Sequence, residues 1–235
     1  AKKLDDCHGY LITALYLAVG VSIVFTGLMW LAAAQFGWFG ISGEIASEGK
    51  RYLRVMCFSL APFLLFSAFR QYLQAMGVAS PALYILVAAN LVNALANWVF
   101  IYGKFGFPAL GVPGSGLATC VARVFMLAAI VAFTLWRDKK KALGRAAASL
   151  RFSAARAVKL VRLGGPSGLQ MLFEVGVFAL STLLAGRLGA IPLSAHQIVL
   201  QLASATFMIP LGLSSATAVR VGQAIGAGDK ARAVD

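Results

Sequence analysis

Four stretches of this chain carry no charged side chain: Gly9–Gly43, Gln71–Gly103, Phe105–Ala122 and Leu188–Val219. A fifth, Leu163–Gly186, is broken by a single charge at Glu174. Each of the first four reaches or passes the ~18 residues that mark a membrane-span candidate. Glycines and prolines cut these runs into helices expected at roughly 10–36, 47–76, 82–103, 115–136, 164–187 and 193–225. The pattern predicts an all-α membrane protein with six transmembrane helices.

The breakers fit that division. Gly37, Gly40 and Gly43 sit in the first loop, Gly77–Pro81 separates the second helix from the third, and Pro108 and Pro113 lie among five glycines before the fourth. Pro166 and Pro192 are expected in the first turns of the fifth and sixth helices, where a missing N–H does no harm. Pro62 and Pro210 fall near the middle of their predicted spans and are expected to kink them.

Composition agrees: 60% of the 235 residues are hydrophobic and only 12% are charged. A net charge of +13 would suggest nucleic acid in a soluble protein. Here nine of the 21 Lys/Arg lie in Arg137–Arg162 beside one acid, Asp138. That is the bias of a cytoplasmic loop, and it lacks the interleaved aromatics of a nucleic-acid surface. The same segment is expected either to rest on anionic lipid as a short helix or to form a solvated linker. Cys7, Cys57 and Cys120 have no paired spacing and imply no disulfide or metal framework. The chain starts at Ala1, shows no signal-peptide pattern, and is expected to be part of something longer.

Glu174 is the candidate for chemistry. An acid at the centre of a membrane helix costs ~2.5–3.5 kcal/mol on insertion scales, so its presence points to function. Low dielectric penalises the charged carboxylate, which leaves three arrangements: a proton carrier, a sodium ligand, or half of a structural ion pair. Ser167, Gln170 and Ser181 share its helical face at i−7, i−4 and i+7. Asn90, Asn93 and Asn97 form one face of the third helix and either line a wet cavity or bind a neighbouring helix. Arg123, placed seven or eight residues into the fourth helix, is expected to be paired structurally. His196 reads as a hydrogen-bonded helix-end residue and His8 as a flank residue without a role. The segment Gly222–Lys230 lacks the order of a phosphate loop, and no enzyme motif is present, so no enzymatic activity is expected.

At these residues the chain resembles the multidrug and toxic compound extrusion (MATE) transporters, in their NorM-like branch. The similar stretches are Phe69–Gly103, Ala109–Arg123, Gly164–Ile198 (GGPSGLQMLFEVGVFALSTLLAGRLGAIPLSAHQI) and Thr206–Asp229 (TFMIPLGLSSATAVRVGQAIGAGD). The resemblance implies part of a twelve-helix, two-lobe transporter. Residues 1–136 would supply the last four helices of the first lobe, 137–162 the basic cytoplasmic linker, and 163–235 the first two helices of the second lobe. It further implies an antiporter that exports amphipathic or cationic organic compounds in exchange for Na+ or H+, with cation coupling at Glu174 and Na+ as its possible metal. Gln170, Asn90, Asn93 and Asn97 are then substrate-cavity candidates. No cofactor beyond the coupling ion is implied. The expected partners are small organic substrates and membrane lipids, with no nucleic acid. The full-length form is expected to be a monomer in the bacterial inner membrane. A lipid-linked oligosaccharide flippase of similar fold is an alternative, although only Arg123 is deep and cationic, and a non-transporting membrane scaffold is another.

Overall fold

In a computed structural model of the chain, residues 2–34, 44–140 and 152–227 are described. Seven helices occur among them: α1 (Lys2–Ala34), α2 (Glu44–Cys57), α3 (Leu60–Ala75), α4 (Ser80–Tyr102), α5 (Val112–Lys140), α6 (Ala154–Arg187) and α7 (Ala190–Ala227). By length and composition five can cross a membrane, or six if α2 and α3 count as one bent span. The chain divides into two units, Ala1–Ala157 and Val158–Asp235.

Three expectations change. The second predicted helix is two helices that meet at an angle of 41°. Pro62 stands in the first turn of α3, not mid-helix, and its missing N–H leaves the Phe58 carbonyl without an α-helical donor. The fifth predicted helix starts ten residues earlier, at Ala154, so Pro166 lies inside α6. Likewise α5 starts at Val112, which puts Arg123 eleven residues into it, about 16 Å by helical rise. The glycine loop 37–46 lies largely outside the described residues, as do 141–151 of the basic segment and Gly228–Lys230 of the glycine-rich end.

In the first unit, α1, α3, α4 and α5 meet around Phe66, Leu73, Met126 and Ile130, with Ala82 and Ala89 where α4 comes close. Small residues allow that approach, because packing contact rather than water exclusion joins helices in lipid. Gly114 of α5 shows how tight it is: an added Cβ would lie 2.6 Å from the Phe100 carbonyl oxygen of α4. Gly103 ends α4 in the left-handed region at φ +67°, and its added Cβ would lie 2.6 Å from the Ala109 nitrogen. Gly103→Ala is therefore expected to destabilise the unit by about 2 kcal/mol or more, through strain plus a backbone collision. Gly106, at φ +84° with nothing within 4 Å of a Cβ, should cost about 1 kcal/mol on the same change. The two melting temperatures in detergent check this ordering.

The α2–α3 break is closed by side chains of α1, α5 and the break itself. Cys120 Sγ of α5 donates to the Val55 carbonyl (3.2 Å), Ser59 Oγ to that of Met56 (2.7 Å), and Thr26 Oγ1 of α1 to that of Cys57 (3.4 Å). Within lipid every such backbone group needs a protein partner. Arg123 Nη1 then donates to Ser59 Oγ at 2.6 Å, and the guanidinium lies over the Phe63 ring at 4.8 Å. The expected structural pairing of Arg123 is thus with a hydroxyl, a ring and the negative end of α2. Among the described residues no acid joins it.

The second unit is α6 from Val158 and α7. Large apolar side chains of both, such as Leu172, Phe173, Ile191 and Ile209, stand exposed. Such surfaces suit lipid or further apolar helices and not water.

Candidate functional site

Glu174 lies twelve residues after Arg162 and thirteen before Arg187, the charged residues that flank it in α6. At 1.5 Å per residue it is about 18 Å and 20 Å from them, at the middle of the apolar segment. The early start of α6 puts Glu174 twenty residues into the helix, so its distance from the flanking charges is what places it at mid-depth. Its side chain is exposed, and among the described residues it makes no hydrogen bond or ion pair. The structural ion-pair reading therefore finds no partner there. Among the described residues there is also no cluster of three His, Cys, Asp or Glu, so Glu174 offers a lone carboxylate to a cation.

The polar face around it is narrower than the spacing suggested. Ser181 Oγ is turned back to the Val177 carbonyl at 2.9 Å, the i−4 bond by which hydroxyls hide in apolar helices. Gln170, one turn before Glu174, is exposed and its amide is uncommitted among the described residues.

An open groove with about 330 Å³ of space lies beside this face between α6 and α7, which touch little. Val175 and Phe178 line it from α6, and Leu200 with Gln197, Gln201 and Ser204 from α7. Gln197, Gln201 and Ser204 recur at i, i+4 and i+7, one helical face. The lining of the groove is mixed, three apolar side chains facing two amides and a hydroxyl. Glu174 precedes Val175 in the chain and is one turn from Phe178, but is not itself a lining residue. In the sequence the two glutamines stand one turn apart, the first beside His196. Their shared face was the signal, hidden because it takes pairing with α6 to make a pocket. His196 Nε2 lies 3.4 Å from Thr182 Oγ1 and joins the two helices near their turn.

The asparagines lie in the first unit, on α4. Asn97 Nδ2 donates to Asn93 Oδ1 at 3.0 Å, a bond along one helix and not across two. Asn90 is exposed. Oδ1 of Asn97 is buried without a hydrogen bond, so this amide has acceptor capacity left over.

The model of one protein family, MatE, matches residues 1–99 and 166–235, which takes in α1 to most of α4 and the greater part of α6 with all of α7. The chain belongs to the MatE family. MatE relatives agree along nearly its whole length. A probable multidrug resistance protein NorM of Geobacillus kaustophilus is 37% identical over 230 residues, covering 97% of this chain and 50% of that protein. One of Mesorhizobium japonicum is 37% identical over 215 residues, 92% of this chain and 46% of that protein. The multidrug resistance protein NorM of Photobacterium profundum is 29% identical over 222 residues, 94% and 48% respectively. The chain thus spans about half the length of the curated MatE relatives it matches.

Proposed function

We propose that this chain is the working middle of a multi-pass secondary antiporter. It exports amphipathic or cationic organic compounds in exchange for Na+ or H+, with Glu174 as the coupling group. The observation that carries this reading is a carboxylate at mid-depth in α6, without a partner among the described residues, beside an open groove of mixed lining. The names of the relatives support export of drugs, and the bacteria they come from support an inner-membrane location.

Coupling requires a ligand that binds two conformations unequally. A carboxylate in low dielectric does this simply. In a conformation open to water it holds its charge at little cost, and in a closed one it needs a proton or Na+ to neutralise it. Cation binding therefore favours the closed surroundings, and an organic guest in the neighbouring cavity competes for or alters that preference. Gln170 is one turn away and supplies a neutral amide to either ion or guest. Asn90, Asn93 and Asn97 are proposed as substrate-cavity residues contributed by the first unit.

The test is reconstitution of the longest native protein containing this chain into liposomes loaded with a fluorescent organic cation. Efflux that rises with an inward Na+ gradient, or with an inward proton gradient, supports antiport and identifies the ion. Efflux indifferent to both gradients overturns it.

A further inference from the structure

At the opposite end of α5 from its start, three helices of the first unit bring titratable side chains together. Tyr72 Oη of α3 lies 3.2 Å from His8 Nε2 of α1, with the rings edge to face at 5.5 Å. The same Nε2 lies 3.6 Å from Asp138 Oδ2 of α5. The His8 and Asp138 side chains are only 20% and 18% exposed. Oδ1 of Asp138 is buried and accepts no hydrogen bond, and Arg137 beside it is buried with an unpaired Nη1. We propose that His8, Tyr72 and Asp138 form a second protonation site of this protein, separate from Glu174, whose proton ties α1 to α5.

One nitrogen, His8 Nε2, faces two groups. With a lone pair on Nε2, His8 can accept from the Tyr72 hydroxyl, but the Asp138 carboxylate then faces a lone pair and receives nothing. With hydrogen on Nε2, Asp138 gains a donor. When the ring is also charged the contact becomes an ion pair in a largely closed site. A carboxylate that is mostly out of water and short of donors is costly, so the protonated pair is the arrangement that relieves it. The charged and titratable neighbours are Asp6 and Cys7 on α1, Tyr72 with Arg70 two residues earlier on α3, and Arg137 on α5. Arg156, at the start of α6, is engaged by Asp6 at 3.1 Å.

A contact that needs its proton is present at acid pH and is lost as pH rises. The measurement is the unfolding temperature of the full chain in detergent, followed by tryptophan fluorescence from pH 5.5 to 8.5. The native protein and the His196→Gln control are expected to lose about 2–4 °C across that range, the shift that one lost stabilising contact gives a chain of this size. His8→Gln and Asp138→Asn are each expected to flatten the profile, and combining them should add nothing further. A flat native profile, or an undiminished slope in Asp138→Asn, overturns the proposal. Should neither variant fold, the spectrum of ε1-13C-histidine in His196→Gln decides. A resonance that moves across this pH range supports a protonation site at His8, and one that stays fixed overturns it.

Discussion

Glu174→Gln is expected to reduce gradient-driven efflux by about one to two orders of magnitude while leaving the protein folded. The substitution keeps the shape and polarity of the side chain and removes only its capacity to bind a proton or a cation. Because Glu174 has no partner among the described residues, no ion pair is broken and no charge is stranded. Removing a charge from mid-depth should hold or raise the melting temperature. Coupling between two ligands commonly amounts to roughly 1–3 kcal/mol, a 5–150-fold effect on affinity, and that sets the size of the loss. The substrate's own binding should survive, since the cavity is lined by Val175, Phe178, Gln197, Leu200, Gln201 and Ser204. Efflux equal to native in liposomes under the active gradient would remove Glu174 from the mechanism, and efflux from neither protein would favour the flippase or the scaffold.

The second large effect is structural. Arg123→Ala is expected to destabilise the first unit by about 2–4 kcal/mol, from loss of a charge-assisted hydrogen bond, a ring contact and the cation at the α2 C-terminus. Ser59 would be left without its 2.6 Å donor, and the Val55, Met56 and Cys57 carbonyls without the positive charge beside them. Arg123→Lys should recover about half, because an ammonium keeps the charge but not the planar contact with Phe63. Melting curves of the three proteins in one detergent give the ranking. If alanine and native melt together, the arginine is not what holds the break.

How far the sequence disclosed this arrangement depended on the range of the interaction involved. Span number and the family followed from charge-free runs and four similar stretches, because lipid demands long apolar helices wherever the chain crosses. Glu174 stood out for the same reason. Pro62 was misplaced, since a proline at mid-run kinks a long helix or opens a new one according to whether Cys120, Thr26 and Arg123 arrive to close the break. All three are distant in sequence. Pro166 looked like part of a first turn by local chemistry, yet α6 starts at Ala154 and runs through it. The cavity of α6 and α7 and the meeting of His8 with Asp138 were invisible for the same reason, each being made by helices whose pairing no local pattern encodes.

The length of α6 has a mechanical side. Its first turn is pinned to α1 where Arg156 meets Asp6 and lies over the Tyr10 ring at 5.6 Å, beside Gly9, the one residue there without a side chain to obstruct it. Ten residues on, Pro166 has no N–H to give the Arg162 carbonyl, so the hydrogen-bond ladder of α6 lacks a rung between that pin and Glu174, and there the helix bends most easily.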